Sequence, residues 1–300
     1  MASKKNWLQI RAEHSVAAAL IAVLRRAPLP VAKRCARTAA RTLDALFPKL
    51  RRVARTNLSF SYPELEPAQR ELIIDGVFEN IARLLVSVAR FPDLNSSNIC
   101  EWISCEGLEH YANAKRGGRG VLVATAHLGN WELSAFAHAL MTEPMRIMVR
   151  PLDNPLIDDL IESRRTLSGN RLIYKQDAAR AVIKALKSNE AVGILIDQNT
   201  TPAEGVFVNF FGQPACAGSA FVKLAYHTGA PVIPGFAVWK HSEQRYVLRF
   251  YPQIQLSGHE AEDTQRIHAV IEQVIRQYPD QWMWIHRRWK ARPPGYPPLY

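Results

Sequence analysis

Residues 121–134 read Val121-Leu122-Val123-Ala124-Thr125-Ala126-His127-Leu128-Gly129-Asn130-Trp131-Glu132-Leu133-Ser134. A β-branched apolar run ends at a histidine, a glycine lets the chain turn, and a helical pattern follows through Leu140 with a carboxylate at its start. Open α/β sheets place their chemistry in this way, at the carboxyl end of a strand where the next helix begins. The spacing also decides how His127 and Glu132 meet. On one continuous helix, five positions amount to about 500° of rotation, which points the two apart. Across a strand-to-helix turn capped by Asn130 or Gly129, Glu132 falls in the first helical turn, where the helix dipole favours a carboxylate. From there it is expected to accept from one imidazole nitrogen, fixing the tautomer and leaving the other nitrogen as a base. The plainer reading of the same residues is a capping glutamate beside a half-buried histidine.

Outward from this stretch the chain alternates. Strands are expected at 99–104, 145–149, 171–174 and 191–196, with helices at 106–115, 154–167 and 177–187 between them. Val206 to Gly212 reads as a loop, Gly218 to Thr228 as a helix, 232–239 and 245–251 as strands, and 261–278 as a closing helix. The last two strands are close enough to pair antiparallel. The fold class is therefore α/β, a mixed but mostly parallel sheet flanked by helices. Before it lies helical sequence: a break at Ala27-Pro28-Leu29-Pro30, helices at 31–46 and 51–58, and a long amphipathic helix from Glu66 to Arg90. The last carries Leu72, Ile73, Val77, Phe78, Ile81, Leu84, Leu85 and Val88 on one broad stripe. The organisation expected is an N-terminal helical, basic region over residues 1–95 and an α/β domain over 96–300.

Charge separates the same two parts. The whole chain carries +11, and residues 1–56 alone hold a surplus of that size, with Glu13 and Asp44 their only acids. Such asymmetry points to an anionic partner: a membrane surface, an acidic carrier protein or nucleic acid. Nucleic acid is the weakest of these, because no helix-turn-helix or aromatic-interleaved platform accompanies the charge. The apolar run Ser15 to Leu24 spans only about 15 Å as a helix, half of a bilayer core. Arginines follow it at once, with no cleavage site, so it is not a secretory signal. Interfacial docking, with Trp7 at headgroup level, fits better; packing on the protein's own core is the alternative. Cys35, Cys100, Cys105 and Cys216 form no CxxC pair and read as reduced packing residues.

Several chemistries are excluded by spacing. There is no Gly-x-Ser-x-Gly elbow, no HExxH, and no Walker or GxGxxG loop. His127 and His138 lie too far apart in sequence for a two-histidine metal face, so no metal or cofactor is expected. What remains is a histidine–carboxylate base without a nucleophile, which suits deprotonation of an acceptor hydroxyl for direct acyl transfer.

The block Ala126 to Glu132 resembles the His-x4-Asp/Glu block of glycerolipid acyltransferases, and its Trp131-Glu132 wording resembles the bacterial lipid A late acyltransferases, the lauroyl/myristoyl group. Arg150-Pro151-Leu152-Asp153-Asn154-Pro155, Asp197-Gln198 followed by Val206 to Gly212, and Trp282 to Lys290 are similar to further blocks of that family, and Arg165 falls where it carries an arginine. The departure is at the start, where many members carry a membrane-spanning helix and this chain has a short, charge-flanked one.

The resemblance implies transfer of a fatty acyl group from a thioester, usually on acyl carrier protein, to a hydroxyl of a lipid A precursor or related glycolipid. The site would be at the cytoplasmic face of the inner membrane, with the protein peripheral or N-terminally anchored. His127 would take the hydroxyl proton and Glu132 would orient the imidazole. Backbone N–H groups near Gly129 or an arginine would hold the oxyanion. Arg165 would contact a phosphate or the oxyanion, or be a solvated helix arginine. Asp197 would support Arg165 or His127, or cap a loop. His286-Arg287-Arg288 would bind anionic headgroups or form a surface basic cluster. Two alternatives stand beside this: an acyl-CoA-dependent enzyme acting on a phosphoinositol mannoside or amino-acid lipid, and a non-catalytic lipid-binding protein.

Overall fold

In the computed structural model, residues 6–174 and 178–300 are described. The chain opens with four helices: α1 (Trp7–Arg26), α2 (Leu29–Leu46), α3 (Pro48–Ser61) and α4 (Pro67–Arg90). Prolines set their boundaries. Pro30 and Pro48 occupy first-turn positions, where a missing N–H costs nothing. Ala32, Ala36 and Ala40 repeat at helical spacing, and all are buried, so α2 lies close against α4. On α4 the inward face is Ile74, Val77, Phe78, Ala82, Val86 and Ala89. Leu72, expected on the buried stripe, is instead 70% exposed.

The remainder is β1 (Ile103–Glu106), α5 (Leu108–Lys115), β2 (Val121–Thr125), α6 (Trp131–Met141), β3 (Arg146–Val149), α7 (Pro155–Arg165), β4 (Arg171–Tyr174) and α8 (Ala178–Lys187). Then come β5 (Ala191–Leu195), β6 (Gly205–Phe210), β7 (Gln213–Gly218), α9 (Ala220–Thr228), β8 (Val232–Lys240), β9 (Arg245–Phe250) and α10 (Glu260–Gln277). Seven strands form one sheet in the order β1-β9-β8-β2-β5-β3-β4. Five of them run parallel, while β9 is antiparallel to β8 and β1 is parallel to β9, so the mixed sheet expected from the sequence is what forms.

Two local expectations are corrected. Ile99–Glu101 is a 3₁₀ turn, and the strand begins only at Ile103. The segment 206–212 is not a loop, because β6 and β7 form an antiparallel hairpin of their own. The expected helix start at Asp177 lies outside the described residues. One core cluster runs without a break from Ile21, Ala36 and Leu58 in the helices to Leu122, Val192 and Val232 in the sheet and Ile271 in α10. All four cysteines are free.

β2 is central, with β8, β9 and β1 on one side and β5, β3 and β4 on the other. Strand order departs in both directions from this point, which is where open sheets leave a crevice at the carboxyl ends of the strands.

Candidate active site

The ends of β2 and β5 make the site. Their register places Thr125 opposite Leu195. Two residues beyond each, His127 and Asp197 face one another, and His127 Nδ1 lies 2.8 Å from Asp197 Oδ1. The other carboxylate oxygen accepts from the His127 backbone N–H at 2.9 Å and from Trp282 Nε1 at 2.8 Å. Asp197 is 2% exposed. Burial alone works against its charge, but the His127 imidazole and these two N–H donors outweigh it and hold the carboxyl far below its usual range. Burial also opposes a charged His127, yet Asp197, and at longer range Glu132, leave its pKa raised despite the opposing Arg165. A carboxylate on Nδ1 assigns the proton to that nitrogen, so the Nε2 lone pair faces outward. There Gln198 Nε2 approaches to 3.3 Å.

The turn that aims His127 is pinned from several sides. Gly129 has φ +61°, and a Cβ there would come within 1.9 Å of the Ala237 carbonyl oxygen, so the position needs glycine. Its N–H donates to Gln281 O at 3.0 Å, and that of Asn130 to Ala237 O at 2.8 Å. Asn130 Oδ1 caps α6 by accepting from the Leu133 N–H, while its Nδ2 donates to Ser87 Oγ on α4. Asn80, also on α4, donates to Gly129 O at 2.7 Å. The N–H groups of Gly129 and Asn130 are therefore spent within the fold, which corrects the expectation that this turn holds an oxyanion.

Glu132 does sit in the first turn of α6, as its spacing requires. Its hydrogen bonds go to Arg165 rather than to the imidazole: Nε to Oε2 at 2.8 Å and Nη2 to Oε1 at 2.5 Å. The expected Glu132–imidazole bond is thus replaced by Asp197–imidazole, and Glu132 acts on His127 only through space. Arg165 is a partly buried member of a bidentate pair and not a solvated helix arginine. The segment Arg150 to Pro155 explains how it is held. Asn154 caps α7, and its Nδ2 ties that helix to Ile10 O and Glu13 Oε2 of α1, both at 2.9 Å.

Behind the Glu132–Arg165 pair runs a narrow, largely apolar crevice between α6 and the sheet. Thr125, Trp131, Val149 and Leu195 stand near its mouth; Val123, Met145, Gly193 and Phe250 line its inner part. His138, two turns along α6 from Trp131, lines the inner part too. Neither of its ring nitrogens has a hydrogen-bond partner, and burial lowers its pKa to about 4, so the ring is neutral.

The closing motif proved to be a buttress. Trp282, Trp284, Trp289 and Arg288 are each at most 1% exposed; Trp282 packs edge-to-face with Trp284, Trp289 and Phe210, Trp284 edge-to-face with Phe211, and Trp289 at a tilt on Phe210. Arg288 donates to the Cys216 carbonyl and lies over the Phe210 ring, so neither a headgroup site nor a surface cluster describes it. His286 is neutral, its pKa lowered by burial to about 4. Sequence reading missed Trp282 and Gln198 as neighbours of the base. The available signal was the tryptophan repeat itself and a glutamine directly after a strand-end aspartate. Among the described residues no three His, Cys, Asp or Glu side chains converge as a metal site.

Comparison with known proteins agrees over most of the chain. A family model described as bacterial lipid A biosynthesis acyltransferase matches residues 3–291. The chain is 30% identical to the lipid A biosynthesis lauroyltransferase of Escherichia coli strain K12, covering 83% of this chain and 82% of that protein. It is 29% identical to the palmitoleoyltransferase of the same organism, over 83% and 81%. A lipid A biosynthesis acyltransferase of Haemophilus influenzae is 26% identical over 82% and 78%.

Proposed function

The chain belongs to the bacterial lipid A biosynthesis acyltransferase family and is an O-acyltransferase, and on that premise we propose that His127 is the general base in the transfer of a fatty acyl group from a thioester to a hydroxyl of a lipid A precursor or related glycolipid. The observation that carries this reading is the state of the imidazole: Nδ1 is locked to a buried carboxylate, Nε2 meets only the Gln198 amide at 3.3 Å, and Trp131, whose ring lies 5.1 Å from the imidazole, lines the apolar crevice.

The acceptor hydroxyl displaces the Gln198 amide from Nε2 and passes its proton there as its oxygen attacks the thioester carbonyl. Asp197 stabilises the imidazolium, which then protonates the departing thiol sulfur as the tetrahedral intermediate collapses. Base catalysis of this kind contributes about 10²–10⁴-fold. Arg165, held by Glu132, is the charged donor for the developing oxyanion or for a substrate phosphate. The fatty chain takes the crevice running inward toward His138 and Phe250. Acyl carrier protein is the donor in this reading, and the surplus charge of the first helices steers that acidic partner; the alternative donor is acyl-CoA.

We place the protein on the membrane through α1. Among the described residues no helix is long and apolar enough to cross a bilayer. Leu8, Ala12, Val16, Ala19 and Val23 are all exposed and fall within about 80° of one another around the helix, which supports interfacial docking; the side we assign to it is the cytoplasmic one.

Purified protein, an acyl thioester and a phosphorylated glycolipid acceptor test the base. His127→Ala should lower transfer by about 10²–10⁴-fold while vesicle binding persists. Near-normal transfer in that variant would remove His127 from the chemistry.

A further inference from the structure

Sharing no lining residue with the crevice, a cavity of about 290 Å³ opens between α2, α4 and the β8–β9 hairpin. It is lined by Lys33, Arg37, Glu79, Arg83, Trp239 and His241, among others. Trp239 forms one wall. The Arg83 guanidinium lies 5.0 Å from its ring centroid and the Lys33 ammonium 6.0 Å, so two cations converge on one indole.

The two cations are not balanced by the protein. The Arg83 side chain is only 13% exposed, and among the described residues its one carboxylate neighbour within ion-pair range, Glu79, stays at 3.8 Å. That is too long for a hydrogen bond, and Arg83 Nη1 is buried with no partner. Glu79 is already committed to Arg37, whose Nε meets both of its oxygens at 2.9 and 2.8 Å. Lys33 has no carboxylate partner among the described residues. His241 stands at the rim, 3.5 Å from Asp280. Lys33, Arg37 and Arg83 against Glu79 give the lining a formal surplus of +2 from its Lys, Arg and Glu side chains. A buried guanidinium with unspent N–H groups is costly, and such groups in native folds have a missing partner.

We propose that this cavity binds a phosphate monoester. A tetrahedral dianion matches the excess charge. It also offers separate oxygens to the Arg83 fork and the Lys33 ammonium, which approach from different helices. The ester substituent leaves through the open side of the cavity. The site goes beyond the acyl-transfer reading and stands without it, since none of its residues touches the crevice. The same chemistry arrives from a lipid headgroup or from soluble phosphate, and the test separates the two.

Calorimetric titration of the full chain with inorganic phosphate, at constant ionic strength, should show saturable binding that weakens at least tenfold in Arg83→Gln. Arg34→Gln, on the exposed side of α2, should stay within twofold of the parent. Phosphate should raise the melting temperature of the parent and not that of Arg83→Gln. Vesicles containing phosphatidic acid are then compared with phosphatidylglycerol vesicles of equal surface charge. A loss in Arg83→Gln confined to phosphatidic acid assigns a headgroup monoester; phosphate binding without that discrimination assigns a soluble one. Both support the site. Should Arg83→Gln fail to fold, judged by circular dichroism, Lys33→Gln carries the same readouts. Absence of saturable binding of either probe, or equal losses in Arg83→Gln and Arg34→Gln, overturns the proposal.

Discussion

His127 is tuned by two carboxylates at different ranges, and the two separate by experiment. Asp197 touches the ring and Glu132 does not, yet both raise its pKa, while Arg165 lowers it. General-base activity needs the neutral imidazole, so the rate climbs as pH rises through a pKa above the usual 6.5. Asp197→Asn should move that acid limb to lower pH and cut transfer by about 10²–10⁴-fold, because tautomer control is lost as well. Glu132→Gln should shift the limb the same way but less, and should weaken the hold on Arg165; a pH–rate profile of each variant checks this. A limb that stays put in Asp197→Asn would detach the aspartate from the base. Gly129→Ala is expected to abolish soluble folded protein, measured by expression and circular dichroism, since its Cβ would overlap the Ala237 carbonyl. His127 was legible as a candidate base because one strand–turn–helix stretch contains it. Its partner was named only as one of three roles for Asp197, beside support of Arg165 and a loop cap. Asp197 is brought to His127 by the register of two strands seventy residues apart, and no local pattern reveals which strand lies beside which.

Among the elements, those with strong periodicity were readable from the chain and those depending on an unusual turn were not. The β6–β7 hairpin closes through Phe211 and Gly212, with φ of +54° and +73°. Two positive values are what a two-residue hairpin turn of the primed type requires, but the sequence signal for one is Asn-Gly or Asp-Gly. A phenylalanine tolerates the left-handed region here because its ring packs against Trp282 and Trp284 and its N–H donates to Glu272 Oε2 at 2.7 Å. The tertiary structure holds a turn that local propensity does not encode. Helix α1 shows the converse: its basic flank was readable, but at 20 residues it is twice as long as the apolar run Ser15 to Leu24, and its outward face required the fold. Val16 is 72% exposed, at the middle of that stripe. Val16→Asp should reduce co-sedimentation with anionic vesicles several-fold and leave transfer to a detergent-solubilised acceptor within twofold. Unchanged vesicle binding would take α1 off the membrane.

Over the molecule as a whole, the charge surplus of the first 56 residues is smaller in effect than its count. Arg25 pairs with Asp93, Arg37 with Glu79, Arg55 with Glu71, and Arg51 with Asp44, Glu71 and Asp75. Those cations hold the helices on α4 and its flank; Arg11, Arg26, Arg41, Lys49 and Arg52 have no carboxylate partner among the described residues and are available to an anionic surface. Buried histidines set a second global property. His138, His268 and His286 each have pKa values lowered to about 4, burial being the leading cause in all three. A histidine held neutral in the folded state contributes stability that is complete above its unfolded pKa near 6.5 and is lost as pH falls from there toward 4. His127, raised, works in the opposite sense, its contribution present below 6.5 and lost as pH rises through its folded value. Three groups outweigh one, so acid wins. For His138, whose ring meets no partner, lowering the pH from 7 to 5 should cost about 2 kcal/mol. Denaturant midpoints at these two pH values should therefore fall together with pH in the parent. In His138→Phe, where a ring of similar shape keeps the edge contacts to Tyr111 and Phe250 without a titrating group, the fall should be visibly shallower. An identical pH slope in the two proteins would show that His138 meets water or a ligand that already accepts its proton.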